Sequence, residues 1–297
     1  MDAFVINVDE VDDLISDGVV DEYWQRGYWR SPQLLSTDKI ERLRRAHERL
    51  WSGDYDHEIA SNYGLPQKPA HPADLRQQCN AFWLNDEIRE VVTSPIIGKI
   101  GAKLMRVDCA RLWHDQAILK PGMAATRPAE AARPNVGWHQ DYGYWTCADS
   151  VNMCTAWVAL QDTDLHNGGM RTITGSHKWG LIANSNQFMS QTLDEDAARF
   201  ASIATGEWID EPCTLVAGGA SFHHALTFHG SGENRSTQPR LSVVAHMMPD
   251  GTRYRSGQLQ HPNQVFLGPS ARDGQPFDGP YFPVMWPPAS TTVRRQG

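Results

Sequence analysis

The chain has 297 residues, 40% hydrophobic and 21% charged, which is enough to bury a single core without covalent staples. Its five cysteines are an odd number with no Cys-x-x-Cys spacing, so neither a disulfide framework nor a thiolate zinc site is expected, and a reducing cytoplasm is the default location. A net charge of −8 argues against a nucleic-acid partner, and no run approaches the roughly 20 apolar residues of a membrane span, which leaves a small molecule as the expected partner.

The acidic N-terminus carries no basic flank and no long apolar run, so a signal peptide is not expected. Residues 8–60 read as helical. Ser36 is placed to cap a helix with Asp38 and Glu41 in its first turn, where carboxylates oppose the helix dipole. Ile40, Leu43, Ala46, His47 and Leu50 then repeat at helical spacing, and Gly53 is placed to end the helix. A second helical pattern covers Asp86–Ala102 and is interrupted at Ser94-Pro95.

From Leu104 the chain changes to short β-prone runs separated by Gly, Pro, Asn and Asp: Leu112–Leu119, Val136–Tyr144, Asn152–Leu160, Gly169–Ile173, Thr214–Val216, Ser221–His229 and Arg240–Met248. Many short strands with turn punctuation predict a mainly β protein with flanking helices, built on a double-stranded β-helix (jelly roll, cupin-like) core. The expected organisation is a single domain in three parts. A helical segment (1–103) braces a jelly-roll core (104–250) with an insertion near 178–205, and a Pro/aromatic-rich extension (251–297) follows. The extension cannot be a central strand and is expected along the surface or on a partner subunit; a monomer and a homodimer are both compatible with it.

One short stretch carries chemistry. His139 and Asp141 are separated by one residue, which on a strand places both side chains on one face. His229 ends a later β run, and Arg240 follows it by eleven residues. Two imidazoles and a carboxylate on one side of a metal are the ligand set of a non-haem Fe(II) oxygenase. Taken singly, His139 equally fits a hydrogen-bonded core histidine and His229 a turn histidine. Arg240 shifts the balance. Arg240, Ser242, Val244 and His246 share one strand face, while Leu241, Val243, Ala245 and Met247 share the other. A guanidinium inside a barrel calls for a bound anion, and a bidentate carboxylate is its natural partner. The other reading of Arg240 is a salt bridge at the barrel rim.

From about Tyr23 to Met248 the chain resembles the phytanoyl-CoA dioxygenase family of Fe(II)- and 2-oxoglutarate-dependent oxygenases, most specifically in WHQDYGYW, ALQDTDLHNGGMRTITGSHKWG and HGSGENRSTQPRLS. The resemblance implies that His139, Asp141 and His229 ligate iron and that Arg240 binds the distal carboxylate of 2-oxoglutarate. It further implies that Ser231 assists that arginine, that Trp157 lines the co-substrate pocket and that Gln116 lies near the keto-acid end. Trp157 as ordinary core and Gln116 as a solvated strand residue are the alternatives. Thr174 stands where many members have proline, a departure expected to affect only its own turn. His177 is expected to be structural, and at most one of His223 and His224 can face inward.

The implied reaction consumes dioxygen (O2) and 2-oxoglutarate, releases succinate and carbon dioxide, and oxidises a C–H bond of a small molecule. Because a carboxylate is present at Asp141, no place is left for the chloride of related halogenases, and hydroxylation is the expected outcome. His114, Tyr142, Tyr144 and Arg171 are candidate substrate contacts. No basic cluster suits the phosphates of coenzyme A, so an acyl-CoA substrate is not expected and a natural-product or secondary-metabolite intermediate is preferred by analogy. A phosphonate or amino-acid-like metabolite is the alternative, to be favoured by further cations such as Arg171, Arg106 or Arg111 facing the cavity. A non-catalytic jelly-roll metal-binding protein is the alternative from another class, and the absence of HExxH disfavours a hydrolytic zinc enzyme.

Overall fold

The computed structural model describes residues 2–58, 74–123 and 134–288. Two helices open the chain, α1 (Val11–Leu14) and α2 (Asp17–Arg26), followed by a strand, β1 (Tyr28–Gln33), and the long helix α3 (Thr37–Ser52). Ser36 caps α3 by accepting from the Lys39 amide, and Gly53 ends it at φ 84°, a conformation that costs glycine least. Ile40, Leu43, Ala46, His47 and Leu50 form its buried stripe. The interruption at Ser94-Pro95 separates α4 (Asp86–Val92) from α5 (Pro95–Met105), with Ser94 as N-cap and proline in the first turn, where its missing amide is harmless.

The β core is two antiparallel sheets. The larger contains β1, β2 (Arg76–Cys79), β3 (Ala110–Lys120), β5 (Cys154–Ala159), β8 (Gly219–His224), β10 (Arg240–Pro249) and β11 (Val284–Trp286), in the order β1-β8-β5-β10-β3-β11 with β2 also paired to β3. The smaller contains β4 (Val136–His139), β6 (Met170–Ile173), β7 (Asp210–Pro212) and β9 (His229–Ser231), in the order β4-β9-β6-β7. One face of the larger sheet packs on the helices. There Leu112, Ala156, Val158, Phe222, Leu241, Val243, Ala245 and Met247 join the helical apolar residues in the main core. The opposite face looks toward the smaller sheet, and the candidate site lies between the two. Helix α6 (Leu193–Ile203) falls inside the expected insertion.

Several elements depart from the sequence reading. The segment expected to be helical through residue 60 contributes β1, whose Ser31-Pro32 hides it as a strand; proline is tolerated because β1 is an edge with a register shift between Arg30 and Gln33. The run Ser221–His229 is two strands. After His224 the chain turns, with the Leu226 amide donating to His224 Nδ1 at 3.0 Å, and resumes at His229 in the other sheet. Thr214–Val216 forms only a single bridge, Leu215 with Thr163. The C-terminal extension is less peripheral than expected. Val284–Trp286 pairs with β3 at the sheet edge, and Phe277 and Phe282 are buried around Trp113. Residues 289–297 of that extension lie outside the described residues.

Candidate metal centre and co-substrate pocket

β4 ends at His139, and the next residues turn into a 3-10 helix over Asp141–Tyr144, so same-face parity does not carry through to Asp141. The turn brings the two together all the same, because Gln140 is anchored away from the cavity. Its amide donates to the Gly180 and Leu226 carbonyls, and its oxygen accepts from the Ile182 amide at 2.8 Å. His229 arrives on β9, directly paired with His139. The result is a buried group in which His139, Asp141 and His229 each offer a ligand atom within 4.8 Å of the others.

The donor set fits a metal in its finer chemistry. His139 Nδ1 lies 2.8 Å from the Gly137 carbonyl and His229 Nδ1 lies 3.0 Å from that of Thr227. A carbonyl only accepts, so both rings carry their proton on Nδ1 and present a bare Nε2. Those Nε2 atoms stand 3.5 and 3.6 Å from Asp141 Oδ1, too far to share a proton but placed to share a cation. The other carboxylate oxygen is held by the protein: Oδ2 accepts from Thr155 Oγ1 at 2.7 Å and lies 3.2 Å from His223 Nε2. Burial opposes the charge on Asp141, while the His223 ring beside Oδ2 is among the groups that hold its carboxyl well below the usual range. Burial, with His139 beside it, pushes His229 well below an ordinary imidazole and keeps it in the neutral form a metal requires.

A cavity of about 300 Å³ opens over this trio. His114, Gln116, Tyr144, Trp157, Ser231 and Arg240 all line it. Arg240 is 3% exposed, with its guanidinium 5.0 Å from the Trp157 ring centre and 3.3 Å from Ser242 Oγ, and its Nε has no partner. Among the described residues no carboxylate pairs with it. Burial pulls its pKa down to about 10.

Lys120, fully buried and directly opposite Arg240 across β3 and β10, was not anticipated from the sequence. Its ammonium lies 2.5 Å from Ser231 Oγ and also donates to the Gly232 carbonyl. The signal was available: Lys120 is four residues from Gln116 and so shares its strand face. Thr155, His223, His246 and His261 also line the cavity and were not assigned a role.

Two substrate candidates are corrected. Tyr142 is core: its hydroxyl donates to the Ala148 carbonyl at 2.7 Å, and its ring packs with Trp145, Met153 and Leu226, because the 3-10 turn rotates it off the cavity face. Arg171 pairs with Asp210 on the neighbouring strand and stacks on Trp138, outside the cavity. Tyr144 stays at the cavity, with its hydroxyl accepting from the Phe188 amide. His177 is structural, its Nε2 3.0 Å from the Trp24 carbonyl, and of the histidine pair it is His223 that faces the metal centre while His224 serves the turn.

A jelly roll holding two imidazoles and a carboxylate beside a buried arginine with no carboxylate partner among the described residues defines a 2-oxoglutarate-dependent non-haem iron dioxygenase. The model of the phytanoyl-CoA dioxygenase family matches residues 23–242, and the chain belongs to that family. Among its relatives are a dioxygenase, olcK, of Penicillium canescens (28% identical, covering 53% of this chain) and a probable alpha-ketoglutarate-dependent hypophosphite dioxygenase of Stutzerimonas stutzeri (29% identical, covering 77% of each chain). The first of these matches covers 46% of the relative's own length. Among solved structures, the non-heme alpha ketoglutarate dependent carbocyclase SnoK from nogalamycin biosynthesis superposes with a TM-score of 0.69 at 21% identity, over 92% of this chain and 97% of that one. The described helices include none long and apolar enough to cross a membrane.

Proposed function

We propose that this enzyme hydroxylates an unactivated C–H bond of a small molecule, a natural-product or secondary-metabolite intermediate. The observation that carries the reading is Arg240, a buried cation without a carboxylate partner among the described residues, at one end of a cavity whose floor is His139, Asp141 and His229. When bound, iron and 2-oxoglutarate supply the oxidising chemistry: the keto acid becomes succinate and carbon dioxide while dioxygen provides the oxygen inserted into the C–H bond.

The chain's own residues supply position and a dry setting. His139, Asp141 and His229, which line the cavity, would hold the metal. Arg240 grips the distal carboxylate of 2-oxoglutarate as a two-pronged donor, and Ser231, oriented by Lys120, adds a hydroxyl to the same carboxylate. Trp157 walls the co-substrate and supports the guanidinium from its ring face. Gln116, in register with Val244 beside Trp157, offers an amide to the keto-acid end. His114 and Tyr144 are left for the substrate.

The phosphonate or amino-acid alternative is not favoured. Arg171, Arg106 and Arg111 are each paired with a carboxylate (Asp210, Asp21 and Asp250) and none lines the cavity. Anaerobic addition of Fe(II) and 2-oxoglutarate is expected to give a weak visible charge-transfer band, lost in Arg240→Ala. Absence of the band in the unmodified enzyme refutes the reading. A succinate-release screen over a panel of metabolites then identifies the substrate.

A further inference from the structure

The inner face of the larger sheet carries a cross-strand row of polar side chains: His114 on β3, His246 on β10, Thr155 on β5 and His223 on β8 are successive partners. Thr155 and His223 are committed to Asp141. His114 and His246 are not committed, and the Nε2 atom of each is buried without a partner while both rings line the cavity. His261, on the loop before the 3-10 turn Pro262–Leu267, completes the wall. Its ring lies 4.7 Å from that of His114, which lies 4.3 Å from that of His246.

The protons on these rings follow from their neighbours. Thr155 Oγ1 gives its one proton to the Asp141 carboxylate, so at 2.8 Å it must accept from His246 Nδ1, which leaves His246 Nε2 a bare acceptor. His261 Nδ1 accepts from the Asn263 amide at 3.2 Å, so a neutral His261 carries its proton on Nε2 and donates from there. The atom nearest His114 Nδ1 is the Asp115 carbonyl at 3.4 Å, an acceptor, which favours the proton on Nδ1 and a bare Nε2. Burial supports the neutral form of His114 and His261. The fixed cation Arg240 is remote, six residues along β10, or about 20 Å at the usual rise per residue.

Resting on the oxygenase reading above, we propose that His114, His246 and His261 form the substrate-recognition wall and that the substrate is a hydroxyl-bearing molecule with no anionic group facing that wall. Its hydroxyl protons go to His246 Nε2 and His114 Nε2, and a substrate oxygen accepts from His261 Nε2. Its apolar body lies against Tyr144, Trp145, Phe188 and Met189, which line the same cavity. An anion meets lone pairs at two of the three imidazoles, and an analogue without hydroxyls leaves those buried atoms unpaired, so both are rejected.

The test uses the protein loaded with Zn(II) and 2-oxoglutarate, with binding read by ligand-observed NMR titration. The probes are trans-cyclohexane-1,2-diol, its dimethyl ether and cyclohexanecarboxylate. The diol is expected to bind about tenfold more tightly than the other two, the scale of one or two neutral hydrogen bonds. His114→Phe is expected to remove about that factor for the diol while leaving the ether and 2-oxoglutarate affinities unchanged; His261→Phe, which removes a donor that an ether oxygen also uses, is expected to weaken the diol and the ether alike and to leave 2-oxoglutarate binding unchanged. Equal binding of diol and ether, tighter binding of the carboxylate, or an unchanged diol affinity in both variants overturns the proposal. The probe comparison on the unmodified protein holds even if a variant fails to fold. Failure of the unmodified protein to bind 2-oxoglutarate overturns the oxygenase reading instead, and with it the ground for this one.

Discussion

Arg240 and Lys120 sit directly opposite each other on adjacent antiparallel strands, two buried cations side by side. Like charges in that position repel, and burial with Arg240 nearby pushes the Lys120 ammonium well below its ordinary pKa. A dianionic ligand between the strands' inner faces relieves the arrangement. Lys120→Met is therefore expected to leave the unliganded protein as stable as before or more so, since an apolar side chain of similar length replaces a desolvated charge. The same change is expected to shrink the rise in melting temperature produced by saturating 2-oxoglutarate, which measures binding to the folded state. A rise of undiminished size removes Lys120 from the co-substrate site.

Arg240→Ala is expected to weaken 2-oxoglutarate binding by about a hundredfold, or roughly 3 kcal/mol, the scale of a charge-assisted two-pronged contact. Arg240→Lys is expected to recover only part of this, because an ammonium cannot present the planar fork. Calorimetric titration of the Zn(II)-loaded protein measures both. A loss below threefold in the alanine variant places the distal carboxylate elsewhere.

Asp141→Ala is expected to abolish succinate formation coupled to substrate while leaving the circular dichroism spectrum intact; hydroxylation retained in this variant excludes an essential ligand role. Thr155→Val is the finer probe. It removes the hydroxyl that fixes Asp141 Oδ2 at 2.7 Å and keeps the side chain's shape. Metal affinity, read by competition with a chelator, is expected to fall by about 10- to 100-fold, as for other partners that orient a ligand. An unchanged affinity shows that His223 alone suffices to hold the carboxylate.

The readable parts of this molecule were those written in local chemistry. The caps of α3 at Ser36 and Gly53, and the two-faced pattern of β10, need only neighbouring residues to be decided. The ligand trio was legible for a partly mistaken reason. Strand parity put His139 and Asp141 together, whereas the structure does so through a turn held by the buried Gln140. Tyr142 was misplaced by that same assumption, since its direction depends on the turn. Arg171 was misplaced because its partner, Asp210, comes from a strand 39 residues away that carries no sequence signature. The histidine wall was hidden for a related reason: His114, His246 and His261 become neighbours only through the pairing of β3 with β10 and the return of the C-terminal extension.

Acidification is expected to destabilise the fold through histidines remote from metal binding as well as through the wall. Burial pushes His47 in α3 down to about 4, and it pushes His224 and His261 down to about 3, with nearby imidazoles adding to the effect for the last two. Each takes up a proton near pH 6.5 when unfolded and resists it when folded. Their stabilising contribution is thus fully present above about pH 6.5 and is lost as pH falls toward 4 and then 3. Asp115 works in the opposite sense. Burial raises it to about 8, so its contribution is present below about 4 and is lost as pH rises through 8. Between pH 7 and 5 these three imidazoles, each amounting to on the order of 2 kcal/mol, outweigh one carboxyl of similar size, and His114, His177, His229 and His246, which burial lowers too, act in the same sense, so the net slope favours neutral pH. Urea unfolding of the metal-free protein at pH 7 and pH 5 isolates this from loss of iron. His47→Leu, which fills the same buried site without a titrating group, is expected to flatten the difference by about one histidine's share. Equal stability at the two pH values in the unmodified protein refutes the net slope, and no flattening in the variant shows that His47 is protonated at no cost in the folded state.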